Sequence, residues 1–108
     1  MDRLARGSEL EEIVQRLKRV YEPERIYLFG SHARGEGGPN SDFDLLVVVP
    51  DDAPVDRRGS RLAYRVLRGT GVAVDVLVWT RGYFESRRHL KASLSATVAA
   101  EGRLLYAA

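Results

Sequence analysis

The sequence predicts an α+β fold: a mixed sheet of three main strands plus a short edge strand, with helices packed on one face. Three observations carry this. Apolar residues recur at helical spacing between Ser8 and Pro23 and again between Asp56 and Gly69. Three apolar runs of strand length, Ile26 to Phe29, Phe43 to Val49 and Val72 to Trp79, are closed by Gly30, Pro50 and Thr80. The segment between the second and third runs is long enough for a helical crossover, so those two strands can pair in parallel.

Taken in order, Ser8 with Glu11 forms a capping box that opens the first helix. Leu10, Ile13, Val14, Leu17 and Val20 make its apolar side, Glu12 and Arg16 pair on the outside, and Pro23 ends it. Arg25 to Gly30 is the first strand. Gly35, Gly37, Gly38 and Pro39 exclude a long helix from the loop Ala33 to Asn40. Ser41 to Val49 is the central strand. The second helix, Asp56 to Arg68, buries Val55, Leu62, Val66 and Leu67 and carries Arg57, Arg61, Arg65 and Arg68 on its other side. That stripe reads either as a solvated face or as a docking surface for an acidic protein partner. After the third strand, Arg81 to Ser86 forms a short turn and Leu90 to Ala100 a helix with Leu90, Leu94, Thr97 and Val98 on one side. Tyr83 and Phe84 are expected as core or interface anchors. His32 and His89 are expected in solvent. Gly102 ends the last helix, and Leu104 to Tyr106 supplies the edge strand.

Length and composition narrow the function. At 108 residues and 44% apolar, residues 1–108 read as a single domain. Cysteine is absent, which excludes disulfides and thiolate metal sites. No apolar run approaches the length of a membrane span, so a cytoplasmic location and no membrane partner are expected. Net charge is only +2, although arginine outnumbers lysine 15 to 2, and no general affinity for nucleic acid follows.

The chemistry concentrates in GSHARGEGGPNSDFDLLVVV, residues 30–49. Gly30 and Ser31 are expected at a strand-to-helix junction, where backbone N–H groups and a helix start favour a phosphate. Ten residues later, Asp42 and Asp44 stand two apart, and strand periodicity puts both carboxylates on one face while Phe43, Leu45, Val47 and Val49 take the other. Two unit charges about 4 Å apart repel by roughly 4 kcal/mol at an effective dielectric near 20. A hard cation such as Mg²⁺, which prefers carboxylate and phosphate oxygens, removes that cost. Asp75 is the one charge in the third strand and joins the pair if that strand lies beside the second. Arg34 is placed to orient a phosphate. Each residue also has a plainer reading: solvated strand-edge acids or a turn cap for Asp42 and Asp44, a hydrogen-bonded structural acid for Asp75, a solvated loop residue for Arg34. Neither a P-loop nor a dinucleotide-binding glycine pattern is present.

This wording, Gly-Ser, ten residues, Asp-x-Asp and a third acid on a neighbouring strand, resembles that of the minimal nucleotidyltransferases within the DNA polymerase beta nucleotidyltransferase superfamily, over nearly the whole chain. The resemblance implies the polymerase-beta-like fold and transfer of a nucleoside monophosphate, AMP from ATP, to a hydroxyl. It assigns the phosphates to Gly30 and Ser31 with help from Arg34. Asp42, Asp44 and Asp75 become the catalytic acids and ligands of two Mg²⁺ ions, with Mn²⁺ as a substitute. It also implies a partner: a helical HEPN protein encoded nearby, often a ribonuclease toxin, silenced by adenylylation of a tyrosine. Two alternatives stand beside this, a non-catalytic module that neutralises the partner sterically and an enzyme acting on a small hydroxylated compound.

Overall fold

The computed structural model describes residues 2–38 and 42–108. In chain order the elements are α1 (Asp2–Tyr21), β1 (Arg25–Phe29), β2 (Phe43–Val49), a 3-10 turn (Val55–Arg57), α2 (Arg61–Leu67), β3 (Val74–Thr80), α3 (Arg81–Ser86), α4 (Leu94–Glu101) and β4 (Arg103–Ala107). The expected Ser41 start and Asn40 end of the adjoining loop lie outside the described residues. The strands form one sheet in the order β3-β2-β1-β4. β1 is antiparallel to both β2 and β4, and β2 is parallel to β3, as the crossover requires. Leu104 to Tyr106 sits inside β4, which forms an edge of the sheet.

β2 is central because its sequence, FDLLVVV, allows burial on both faces. Leu45 to Val49 are all at most 2% exposed. Phe43, Leu45, Val47 and Val49 pack with Ile26, Leu28, Val76 and Val78 against Ile13, Val14, Leu17 and Tyr21 of α1 and Ala63 and Leu67 of α2. Each Val, Leu, Ile or Phe side chain so buried contributes roughly 1.5–3 kcal/mol. On the other face Leu46 and Val48 are covered by Phe84 of α3 and Val98 of α4. The expectation of helices on one face therefore holds for the layer of α1 and α2 and widens to include two short helices over part of the other. Among the described residues, no helix is long and apolar enough to cross a membrane.

Several boundaries move for physical reasons. α1 starts at Asp2, not at Ser8, because the helix formers Leu4, Ala5 and Arg6 carry it through Gly7 and Ser8. It ends before Pro23, with Glu22 at a φ of 47°, and its Arg16 pairs with Glu12 at 3.0 Å. The second helix is interrupted at Gly59 and Ser60, so Val55 leaves the core and is 81% exposed. Arg57, on the separate 3-10 turn, drops out of the arginine stripe and pairs with Glu22. α4 begins at Leu94 because the Ser93 hydroxyl accepts the Ala96 N–H at 3.0 Å, leaving Leu90 exposed. Phe84 is buried, but Tyr83 is half-exposed, edge-on to Trp79 with the Arg87 guanidinium 4.0 Å over its ring.

The start of α2 is capped from a distance. Ser60 makes no side-chain cap. Instead the buried Tyr21 hydroxyl of α1 accepts the Ala63 N–H at 2.8 Å and donates to the Gly59 carbonyl at 2.7 Å. Burial pushes the Tyr21 phenol above its ordinary pKa, and the Ala63 amide opposes that rise. Tyr21→Phe therefore strands a buried amide and is expected to cost about 1–3 kcal/mol. Ser60→Ala should stay within about 0.5 kcal/mol. Urea unfolding measures both, and equal losses would contradict remote capping.

Candidate functional site

The site grows from the register of β2 on its two neighbours. Phe29 of β1 and Asp75 of β3 are both partners of Asp44. Paired residues project to the same face, so the Asp44 and Asp75 side chains lie side by side on adjacent strands, on the face opposite α1 and α2. Asp42 precedes β2 by one residue and is exposed, as is Asp75, whereas Asp44 is half-buried. The Phe43 amide, bonded to the Ala73 carbonyl at 3.1 Å, holds the two strand starts together.

Charge confirms the proximity. The Asp44 carboxyl is held above the usual carboxylate range, first by burial, then by the negative charges of Asp75 and Asp42. His32 and Arg34 pull it back down. Asp44 thus feels both other acids at one end of the sheet. Among the described residues, no three carboxylates or imidazoles enclose an ion on their own. Repelling acids without a counter-charge do not close into such a cage, and Mg²⁺ commonly takes only one or two carboxylates, the rest being water and phosphate. The donor set, all oxygen, fits that ion.

The turn after β1 forms the second wall. Gly30 has a φ of 77°, and a Cβ there would run into the Asp44 carboxylate, so both conformation and space call for glycine. The Arg34 N–H donates to the Gly30 carbonyl at 3.3 Å and the Glu36 N–H to the Ser31 carbonyl at 2.8 Å, closing the turn. The expected helix start is only this single turn, so its backbone groups, not a helix macrodipole, are what the turn offers a phosphate. Arg34 is exposed and pairs through Nε with Glu36 at 3.2 Å. His32 corrects the expectation of solvent exposure: its ring lies 4.5 Å from Phe43, Gly37 packs on it, and it is half-buried within electrostatic reach of Asp44. Only its place directly after Ser31 hinted at this.

Repulsion at Asp44 has a thermodynamic sign. A carboxyl whose folded pKa is raised penalises the native state above that pKa, and the penalty lifts as pH falls through it toward the unfolded value. Asp44→Asn should therefore stabilise the fold at neutral pH without added metal, by less than about 1 kcal/mol after solvent screening, and so raise the melting temperature. The gain should vanish toward pH 4. A thermal-shift series across pH checks this, and destabilisation at neutral pH would contradict it.

Comparison with known proteins agrees with the motif. The model of the nucleotidyltransferase domain family matches residues 8–100. Over 101 residues the chain is 34% identical to "Putative protein adenylyltransferase MJ0604" of Methanocaldococcus jannaschii, covering 90% of this chain and 94% of that one. The crystal structure of a putative nucleotidyltransferase from Sulfolobus solfataricus superposes with a TM-score of 0.64 at 26% identity, covering 98% of this chain and 84% of the other. A chain of a toxin-antitoxin crystallised with AMP-PNP superposes with a TM-score of 0.58 at 27% identity, over 91% of this chain and 73% of that one. With the family match spanning most of its length, the chain belongs to the nucleotidyltransferase domain family and is a nucleotidyltransferase.

Proposed function

We propose that the protein transfers AMP from ATP to a hydroxyl on a protein partner, a tyrosine of a helical HEPN-type toxin, and acts as its antitoxin. The observation that carries this is the in-register pair Asp44 and Asp75 beside the Gly30 turn. The adenylyltransferase name of the Methanocaldococcus relative and the AMP-PNP of the toxin-antitoxin structure support the donor and the acceptor class.

In this reading Gly30 and Ser31 hold the distal phosphates through the turn, and Arg34 exchanges Glu36 for a phosphate oxygen, a charge-assisted contact its planar fork suits. Asp42, Asp44 and Asp75 would hold Mg²⁺, which when bound neutralises the phosphates and the departing pyrophosphate. Asp44 fixes the approach of the nucleotide, because its carboxylate is wedged against Gly30. Asp75, exposed at the sheet end, accepts the proton of the incoming hydroxyl. The hydroxyl oxygen bonds to the α-phosphorus as the bond to the bridging oxygen breaks, and pyrophosphate leaves with the electron pair. The geometry is that of positioning and charge stabilisation, which dominate phosphoryl transfer.

Intact-mass measurement of the co-expressed partner after incubation with ATP and Mg²⁺ tests the reading. An added AMP on the partner is expected, lost by at least about a hundredfold in rate with Asp42→Asn, Asp44→Asn or Asp75→Asn. An unmodified partner, or undiminished neutralisation of the toxin by the Asp42→Asn and Asp44→Asn double variant, would overturn it in favour of steric cover.

A further inference from the structure

Several arginines of this chain have a carboxylate acceptor: Arg16 on Glu12, Arg34 on Glu36, Arg57 on Glu22, Arg81 on Glu24, Arg88 on Glu85. Arg61, Arg65 and Arg68, grouped at α2, have none among the described residues. All three are exposed along the outer side of α2, and among the described residues no carboxylate lies in ion-pair range of them. Folding gives no local reason for Arg61. It is the first residue of the helix, where the partial positive charge of a helix start opposes a cation, and no acid in that turn compensates. Arg65 suits the last turn of the helix but sets a like charge one turn from Arg61.

Arg61 and Arg65 line an open groove of about 340 Å³ together with Val55, Asp56, Gly59 and Leu62. The break at Gly59 and Ser60 lifts Val55 off the core, and at 81% it is the most exposed large apolar side chain among the described residues. The groove thus combines cations one helical turn apart with an apolar floor.

We propose that this groove docks an acidic helical segment of a protein partner, with glutamates at one-turn spacing facing Arg61 and Arg65 and one apolar side chain covering Val55 and Leu62. Side chains four apart on a helix repeat at about 6 Å, the same repeat on both sides of such a contact. Guanidinium and carboxylate then meet fork to fork. A nucleic-acid strand fits less well, because no aromatic ring lines the groove for a base to stack on. The groove belongs to the helix layer opposite Asp44 and Asp75, so this surface goes beyond the transfer reading and stands or falls without it.

Fluorescence anisotropy on the full chain tests it, with three labelled probes: a short helical peptide carrying glutamates at one-turn spacing and leucines between, its lysine-for-glutamate counterpart, and a single-stranded oligodeoxynucleotide. The glutamate peptide is expected to bind, more weakly as salt rises, and the lysine peptide not at all. Arg61→Glu with Arg65→Glu should weaken the glutamate peptide at least about tenfold. Arg61→Ala with Arg65→Ala should fall between, and both pairs should melt like the parent chain. Equal binding by the charge-reversed chain, absence of glutamate-peptide binding, or tighter binding of the oligonucleotide would overturn the proposal.

Discussion

The structure depends on one pairing, the parallel, in-register ladder between β2 and β3. A shift by one residue would turn Asp75 toward the core and Val76 toward solvent, since side chains alternate across a strand. Burial of Val76 and Val78 under α1 and α2 therefore fixes the same register that sets Asp75 beside Asp44. Packing on one face of the sheet determines the chemistry on the other.

The two ends of that second face are treated differently. At the far end, Phe84 and Val98 cover Leu46 and Val48 and make a small second core. At the near end, the acids stand half-buried or exposed beside Gly30, and Asp44 is uncomfortable as an anion. The cost of crowding like charges is small against the burial of β2, where five successive residues are almost inaccessible. A stable strand thus carries a locally unfavourable cluster, as functional sites commonly do. The helix layer on the opposite face is free to serve another purpose, and its unpaired arginines lie there.

Much of this was legible in the residues. Gly30, Ser31, Asp42 and Asp44 announce themselves by type and spacing, and the helical crossover before Val74 foretells a parallel β3 with Asp75 at its start. The apolar side of α1 follows from periodicity, and Phe84 as an anchor from its aromatic bulk. What stayed hidden is tertiary. Tyr21 caps α2 across 42 residues of sequence, a contact no local pattern encodes. Arg57 finds Glu22 only because the chain breaks at Gly59 and Ser60, and a single glycine in a helical pattern does not by itself distinguish a break from a tolerated defect. His32 is half-buried because Phe43 and Gly37 come to it from the other end of the loop. The covering of the second face by α3 and α4 rests on short apolar segments that periodicity alone assigns to no particular side.

The central claim, one anionic site built from β2, β3 and the Gly30 turn, is tested most directly by paramagnetic broadening. Mn²⁺ titrated with a non-hydrolysable ATP analogue into isotope-labelled protein should first broaden the amide signals of Asp42, Asp44, Asp75 and Gly30 to Arg34. Broadening that begins elsewhere, or that leaves Asp75 sharp while Asp44 disappears, would contradict the account.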